Sequence, residues 1–518
     1  MRSCEYITSK EYPYFATINE RERKEPELNN VSAIYFYDKL LAVNEEYVNG
    51  RRIGRLYYDG EPVINGTLSY GRKQFATIEG KVVIMPDKVY MDMSTGIVEP
   101  MEATVELTQQ KVITTAPDQH GEQTLYLYGY WFGFDDEPNP FKVGDVVDVT
   151  INGYKYESLQ IKNIEEDVGT IFTFLSSSKN FTSETINSTT VKIERKVPDF
   201  DYICSSENRI WGCVNWSQTI YCSVQGDPTN FNRYDPDNNL SSFFTNVASD
   251  GVFTGCVALG STILFFKQRM LHKVVGDNPN SYYVYDYEID GVAERCSETL
   301  TVVNGMLYYV GTNGVYTYSG GAPNCISKAL GDVVFNSGAG CSDGHRYYLT
   351  CSCELRNDTH WLSLVYDIER GTWTNEGWVW LQDSVKTDDG LYMLLDNLIY
   401  KDGPTTTPIQ SSKEWHIQFN PIYEKTTYRG KTSGLVFEKK YYSKLYIRAK
   451  AAGHVVVKVR FDDGRWKEVG QIVGKNGVTT TVIPLNRCDK FELRLEGQGA
   501  FTLMGLSREY STGSVRDE

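Results

Sequence analysis

NRIWGCVNWSQTIYCSVQGDPTNFN, residues 208–232, decides the fold. It reads as two aromatic-rich strands joined by a polar turn and closed by a Gly-Asp-Pro-Thr loop. DGVFTGCVALGSTILFFKQRMLHKVVGD (250–277) repeats the plan, with one apolar strand over Ile263 to Phe266 and a second over Met270 to Val275. VNGMLYYVGTNGVYTYSGG (303–321) repeats it again, with Leu307 to Val310 and Val315 to Tyr318 flanking Gly311-Thr312-Asn313-Gly314. Strand, tight turn, strand is the signature of a meander. A unit recurring about every thirty to forty residues, all of it strand, points to propeller blades. A strand pair cannot bury both faces alone, so repeated pairs must stack on one another.

The echo extends outward. Asp389-Gly390-Leu391-Tyr392 through Asp402-Gly403 carries it, and Asp38 through Gly60 does so more loosely. The expected organisation is an extended, charged N-terminal arm over 1–30 with Tyr12-Pro13-Tyr14-Phe15 as a sticky spot, either solvated or docked on a neighbour. First propeller blades follow over 31–104, a small inserted β-domain over 105–197, and the remaining blades over 198–405. A C-terminal β-sandwich and tail complete the chain over 406–518. The insert announces itself by a change of rhythm, with an Asn152-Gly153 hairpin signal and an expected core around Val146, Val149, Ile161 and Phe172. Strict alternation in His454 to Phe461 marks the sandwich. The fold class is therefore all-β: a propeller of about six or seven blades, an inserted barrel or sandwich, and a C-terminal sandwich. Strand should exceed about 40% and helix stay under about 10%.

Composition narrows the function classes. The chain has 518 residues, 41% hydrophobic and 23% charged, with 37 Tyr, 22 Phe and 9 Trp. That aromatic load suits strands. No apolar run approaches the roughly 20 residues needed to span a bilayer as a helix, and the N-terminus shows no apolar signal-peptide core. A formal charge of −15 disfavours a surface that grips nucleic acid. The 11 cysteines are odd in number and form no C-x-x-C pair, so buried reduced thiols are expected. Cys351 and Cys353 share a strand face but lack further zinc ligands.

No catalytic motif emerges. H-E-x-x-H, G-x-S-x-G and a strand-borne G-x-G-x-x-G are absent, and GQIVGKNG (470–477) has the wrong spacing for a P-loop. His120, His272, His345, His360, His416 and His454 are scattered, and none has an apparent partner in the sequence. DPDNNLSSFF (235–244) begins like a calcium loop but has Leu240 and Asn246 where Gly and Glu are needed. DIERGTW (367–373) and DDGRW (462–466) approach the Asp-box turn of sialidase propellers without matching its spacing. Trp211, Trp216, Trp378 and Trp380 are candidates for stacking on sugars, although strand tryptophans are more often core. The sequence accordingly nominates no catalytic, cofactor-binding or metal-binding residue, no cofactor is expected, and the chain is expected not to be an enzyme.

QFATIEGKVVIMPDKVYMD, FKVGDVVDVTING, NRIWGCVNWSQTIYCSVQGDPTNFN and GVYTYSGGAPNCIS together resemble the tail-nozzle (tail tubular protein B-like) family of short-tailed bacteriophages. SKEYPYFAT resembles that group's leader, and Pro86-Asp87-Lys88 with Gly226-Asp227-Pro228-Thr229 are the most specific matches. The resemblance covers about residues 10–405. It implies a structural β-propeller of the virion, made in the host cytoplasm and assembled into a cyclic ring. Six copies would surround the DNA ejection conduit and dock tail partners such as adaptor and fibres, with DNA in transient non-specific passage. The alternatives are a carbohydrate-binding propeller acting as a host-receptor lectin and, further off, a glycosidase.

Overall fold

The computed structural model describes residues 3–10, 13–19, 21–24, 28–132, 139–233, 239–331, 333–355, 358–377, 380–402, 413–423, 426–428, 431–433, 440–474, 478–485 and 487–512. The protein is all-β: 63% of it is strand. Among the described residues the only helical turns are two short 3-10 segments, Ser297–Thr299 and Lys328–Leu330. The chain divides into two compact units, 30–324 and a second made of 1–29 with 325–518.

Unit 30–324 carries the propeller pattern. Four-stranded meanders recur as Tyr202–Ser206, Arg209–Val214, Thr219–Cys222 and Phe243–Asn246, then as Phe253–Leu259, Thr262–Lys267, Met270–Val275 and Tyr283–Glu288. A third runs through Thr301–Val303, Met306–Gly311 and Gly314–Tyr318, ending in Asn324–Cys325 at the unit boundary. Before them, an eight-stranded sheet joins two meanders, 31–68 and 74–100, edge to edge through one parallel pairing, Ile64 with Ile97.

The stacking explains the apolar runs. In Lys81–Met85 (KVVIM), Ile84 packs on Ala33, Leu41 and Leu56 from one side. Val83 and Met85 face the other side and meet Ile210, Val214 and Phe231. Side chains alternate along a strand, so a strand buried on both faces must be apolar throughout. The next interface repeats this: Trp211, Cys213 and Ile220 meet Phe253, Phe265 and Val274.

The strands Ala103–Thr115, Glu122–Tyr128, Gly169–Leu175, Tyr154–Glu166, Val146–Ile151 and Glu184–Arg195 close into a barrel in that order. Asn152 and Gly153 both take positive φ (51° and 79°), the two-residue turn that matches strand twist. Val149, Ile161 and Phe172 lie in the barrel core, but Val146 does not. It is half-buried, and Val147 takes the inward position with Val149. A one-residue offset reverses the face a strand residue presents, and in Val-Val only the pairing decides which one points in. The barrel joins the propeller through Asp145, whose carboxylate binds Arg195 at 2.7 Å, the Lys142 amide at 3.0 Å and Asn230 Nδ2 at 3.1 Å.

In the other unit, one sheet comprises Val334–Ser342, Arg346–Leu355, Asp358–Asp367 and Thr372–Gly377. A second comprises Leu381–Thr387, Gly390–Leu395 and Leu398–Asp402, and its fourth strand is Glu22–Arg23 from the N-terminus. The sandwich also takes strands from the leader. Ser3–Glu5 pairs with Glu414–Gln418, and Ile7–Thr8 and Phe15–Thr17 extend the sheet of Phe501–Thr512 and Lys440–Ala451. Its core includes Cys4, Ile7, Trp415, Val455, Val457, Val459 and Leu495.

The described parts of the leader are thus strands built into sheets of their own chain rather than a solvated tail. Exposed sheet edges left by the blades and sandwich provide its partners, which a charge-rich sequence does not advertise. Phe15 packs against the sandwich core as anticipated for a sticky spot, whereas Tyr12 lies outside the described residues.

No disulfide joins any of the ten cysteines described, and eight of these are buried. Burial pushes the Cys222, Cys296 and Cys341 thiols up to about 12 and Cys4 to about 11. The thiolate is the reactive form, so native labelling with a thiol reagent at pH 8 should leave these four unmodified. Peptide mapping should find half-buried Cys325 modified first among the ten.

Candidate functional site

The sheet of 253–288 brings together three residues far apart in the sequence. His272 lies on Met270–Val275 and pairs across the ladder with Asp286 on Tyr283–Glu288. Antiparallel partners share a face, so the two side chains meet: His272 Nδ1 lies 2.6 Å from Asp286 Oδ1. Ser249 comes from the 247–252 connection that leads into this sheet, and its Oγ lies 2.8 Å from His272 Nε2. His272 is fully buried, with the Phe253 ring 6.0 Å away. Ser249 is half-buried and lines a cavity of about 530 Å³ with Asp250, Arg269, Met270 and Glu294.

A buried lysine fixes the connection. Lys267, 1% exposed, donates from Nζ to the Ser249 carbonyl at 2.7 Å and to Gln218 Oε1. Its ammonium sits 5.0 Å from the Phe253 ring centre. Burial lowers the Lys267 pKa, against the opposing charges of Asp250 and Asp286. Burial also lowers that of His272, outweighing the hydrogen bond and charge of Asp286. The imidazole is therefore neutral at pH 7 and able to accept a proton at one nitrogen.

The same shift makes a stability prediction. The unfolded chain binds the His272 proton more readily than the native one, so stability is lost as pH falls through 6.5, the ordinary histidine value. Above that value the residue contributes no slope. Between pH 8 and pH 5 the melting temperature of the native chain should therefore fall more steeply than that of His272→Gln.

A second cluster lies among 1–29 and 325–518, around a cavity of about 430 Å³. Tyr348 Oη reaches Asp343 at 2.9 Å and Asp402 at 3.2 Å. Two adjoining carboxylates invite a glycosidase reading, which requires one of them protonated. Here Lys10 binds Asp402 at 2.8 Å and Arg346 binds Asp343 at 3.0 Å. Burial pushes Asp343 up, but the amides of His345 and Arg346, the Tyr348 hydroxyl and the Arg346 charge outweigh it and hold the carboxyl below its usual range. Arg21 binds Glu376 at 2.6 Å beside them. Lys10 and Arg21 of the leader thus pair with Asp402 and Glu376, an arrangement that suits anchorage better than proton transfer.

The other sequence candidates resolve individually. Trp211 is core, at 2% exposure, whereas Trp216, in the turn after Arg209–Val214, is 85% exposed and Trp380 is 50% exposed. Trp378 and residues 235–238 of the calcium-like loop lie outside the described residues. Asp367 of DIERGTW accepts from Ser9, from the Arg370 amide and from the Arg370 guanidinium, stabilising its turn. No group of three or more metal-ligating side chains occurs among the described residues. Nothing in the sequence joined Ser249, His272 and Asp286, because strand register pairs the last two and the path of a connection adds the first. A histidine at an inward position among Leu271, Val274 and Val275 was the available signal.

No family model matches the chain. No curated protein matches it either. Solved structures that overlap it include one titled a glycoside hydrolase (8% identity, 93% of this chain and 99% of that one, TM-score 0.22). Another is the phage phi92 endosialidase (12% identity, 89% and 75%, TM-score 0.26). A third is an exo-β-1,3-galactanase from Phanerochaete chrysosporium (8% identity, 95% and 100%, TM-score 0.20). Overlap at these scores assigns no activity. The expectation that the chain is not an enzyme is corrected on the site itself: it rested on histidines without partners, and His272 has two.

Proposed function

We propose that this chain is a structural component of a bacteriophage tail, a nozzle-like subunit contributing to the wall of the DNA ejection conduit. Its support is the sequence resemblance together with a rigid, strand-built body. The observation that carries it is an outer strand offered for contact. Tyr283, Tyr285 and Tyr287 stand on one face of Tyr283–Glu288 and are 66%, 50% and 45% exposed. Exposed tyrosines in a row supply large contact area at low entropic cost and are enriched where proteins meet.

In this reading copies associate head to tail into a closed ring, sixfold by resemblance to the nozzle family. Adaptor and fibre proteins dock on it, and the excess of acidic residues keeps passing DNA from sticking. Quantitative mass spectrometry of purified particles is the test. The chain should be present at fixed stoichiometry, and joint substitution of the three tyrosines by serine should reduce its incorporation. Particles that lack the chain refute the reading. The same tyrosines also suit stacking on sugar rings. Retention of the isolated protein on host polysaccharide, lost with those substitutions, is the result that would favour a receptor lectin.

A further inference from the structure

We infer that Ser249 is a reactive nucleophile, with His272 as its general base and Asp286 as a positioning residue, and that the cavity beside it takes a small acyl ester. The inference is independent of a role in a phage tail and rests on geometry.

Serine, histidine and carboxylate form an unbroken relay, 2.8 Å from Oγ to Nε2 and 2.6 Å from Nδ1 to Oδ1, within the range for nucleophile activation. The carboxylate holds the imidazole with its proton on Nδ1, leaving Nε2 as the acceptor facing Ser249. A purely structural histidine in a sheet needs no such opening to solvent, yet here the hydroxyl-bearing residue lines a cavity of about 530 Å³. That is a volume suited to a small ligand. Lys267, bonded to the Ser249 carbonyl, limits the freedom of the connection that presents the hydroxyl.

In the reaction Ser249 Oγ attacks the ester carbonyl carbon while its proton passes to His272 Nε2. The carbon–oxygen bond to the leaving alcohol breaks, and the alcohol takes that proton from His272. Water then attacks the acyl-serine by the same route, giving the carboxylic acid and restoring the hydroxyl. No oxidant, reductant or metal enters the balance.

Active-site labelling of the full chain with a fluorophosphonate, followed by intact mass and peptide mapping, tests this. The native protein should gain one adduct on Ser249 and should hydrolyse p-nitrophenyl acetate. Ser249→Ala should lose both. His272→Gln should slow labelling by about 10²-fold or more, with circular dichroism checking that it folds. Asp286→Asn should slow it less, because the side chain of Asp286 is 53% exposed and water weakens its hold. It should also move the pH midpoint of labelling downward, since the carboxylate supports the protonated imidazole against burial and the nearby Lys267 charge. A merely structural Asp286 would leave that midpoint in place. No adduct on the native protein, an adduct elsewhere, unchanged labelling in both folded variants, or labelling without ester turnover overturns the inference.

Discussion

Asp145→Ala is expected to destabilise the unit of 30–324 by about 3–5 kcal/mol, the usual effect of leaving one charge of a buried pair unmatched. The pair is well enclosed: the Asp145 and Arg195 side chains are 2% and 8% exposed. Arg195 also donates to the Pro140 carbonyl at 2.9 Å and approaches the Met101 carbonyl at 3.4 Å, so it cannot swing into water without breaking the barrel's entry and exit. Asp145 additionally caps the Lys142 amide and holds Asn230 of the Gly-Asp-Pro-Thr loop region. Removing it releases the barrel and the propeller from one another as well as leaving a buried guanidinium. Denaturant unfolding should show the loss, and limited proteolysis should show earlier cutting around 140–145. Asp145→Asn should fall between the native chain and Asp145→Ala, because it keeps one acceptor oxygen for Arg195 and the Lys142 amide but loses the charge and the acceptor that Asn230 uses.

Trp415→Ala should cost about 3–5 kcal/mol in the sandwich, through lost burial and the cavity left behind. Trp415 is 1% exposed and stacks on Phe501 at 4.4 Å with an interplanar angle of 19°. Its Nε1 donates to the half-buried Gly499 carbonyl at 2.9 Å, so truncation also removes that acceptor's donor. Gly497, its cross-strand partner, leaves room for the indole: a Cβ there would stand 2.8 Å from the Trp415 ring. Collapse around the missing ring is therefore limited to small residues. Because the leader strands share this core, the variant should also expose residues 3–17 to protease.

The sequence was legible where pattern and packing agree. His454 to Phe461 alternates, and Val455, Val457 and Val459 are inward as the alternation requires. The meanders at 202–246, 253–288 and 301–325 follow the turns at which their glycines and asparagines stand. The misses share a cause, which is pairing between distant segments. Val146 and Val147 are indistinguishable until a partner strand fixes the register. Glu22–Arg23 is a two-residue strand completing a sheet more than 350 residues later, and no local pattern in a charged leader announces that. Ser249, His272 and Asp286 are brought together by a connection and a ladder, and the sequence displays neither.

The claim of a tail component is tested most directly by electron cryomicroscopy of the particles that contain this chain. The account predicts density for the chain as a closed ring in the tail. The Tyr283–Glu288 edge should lie against a neighbouring protein, and acidic side chains should face the DNA channel. A tail without this chain, or a ring whose channel face is lined by lysine and arginine, contradicts it.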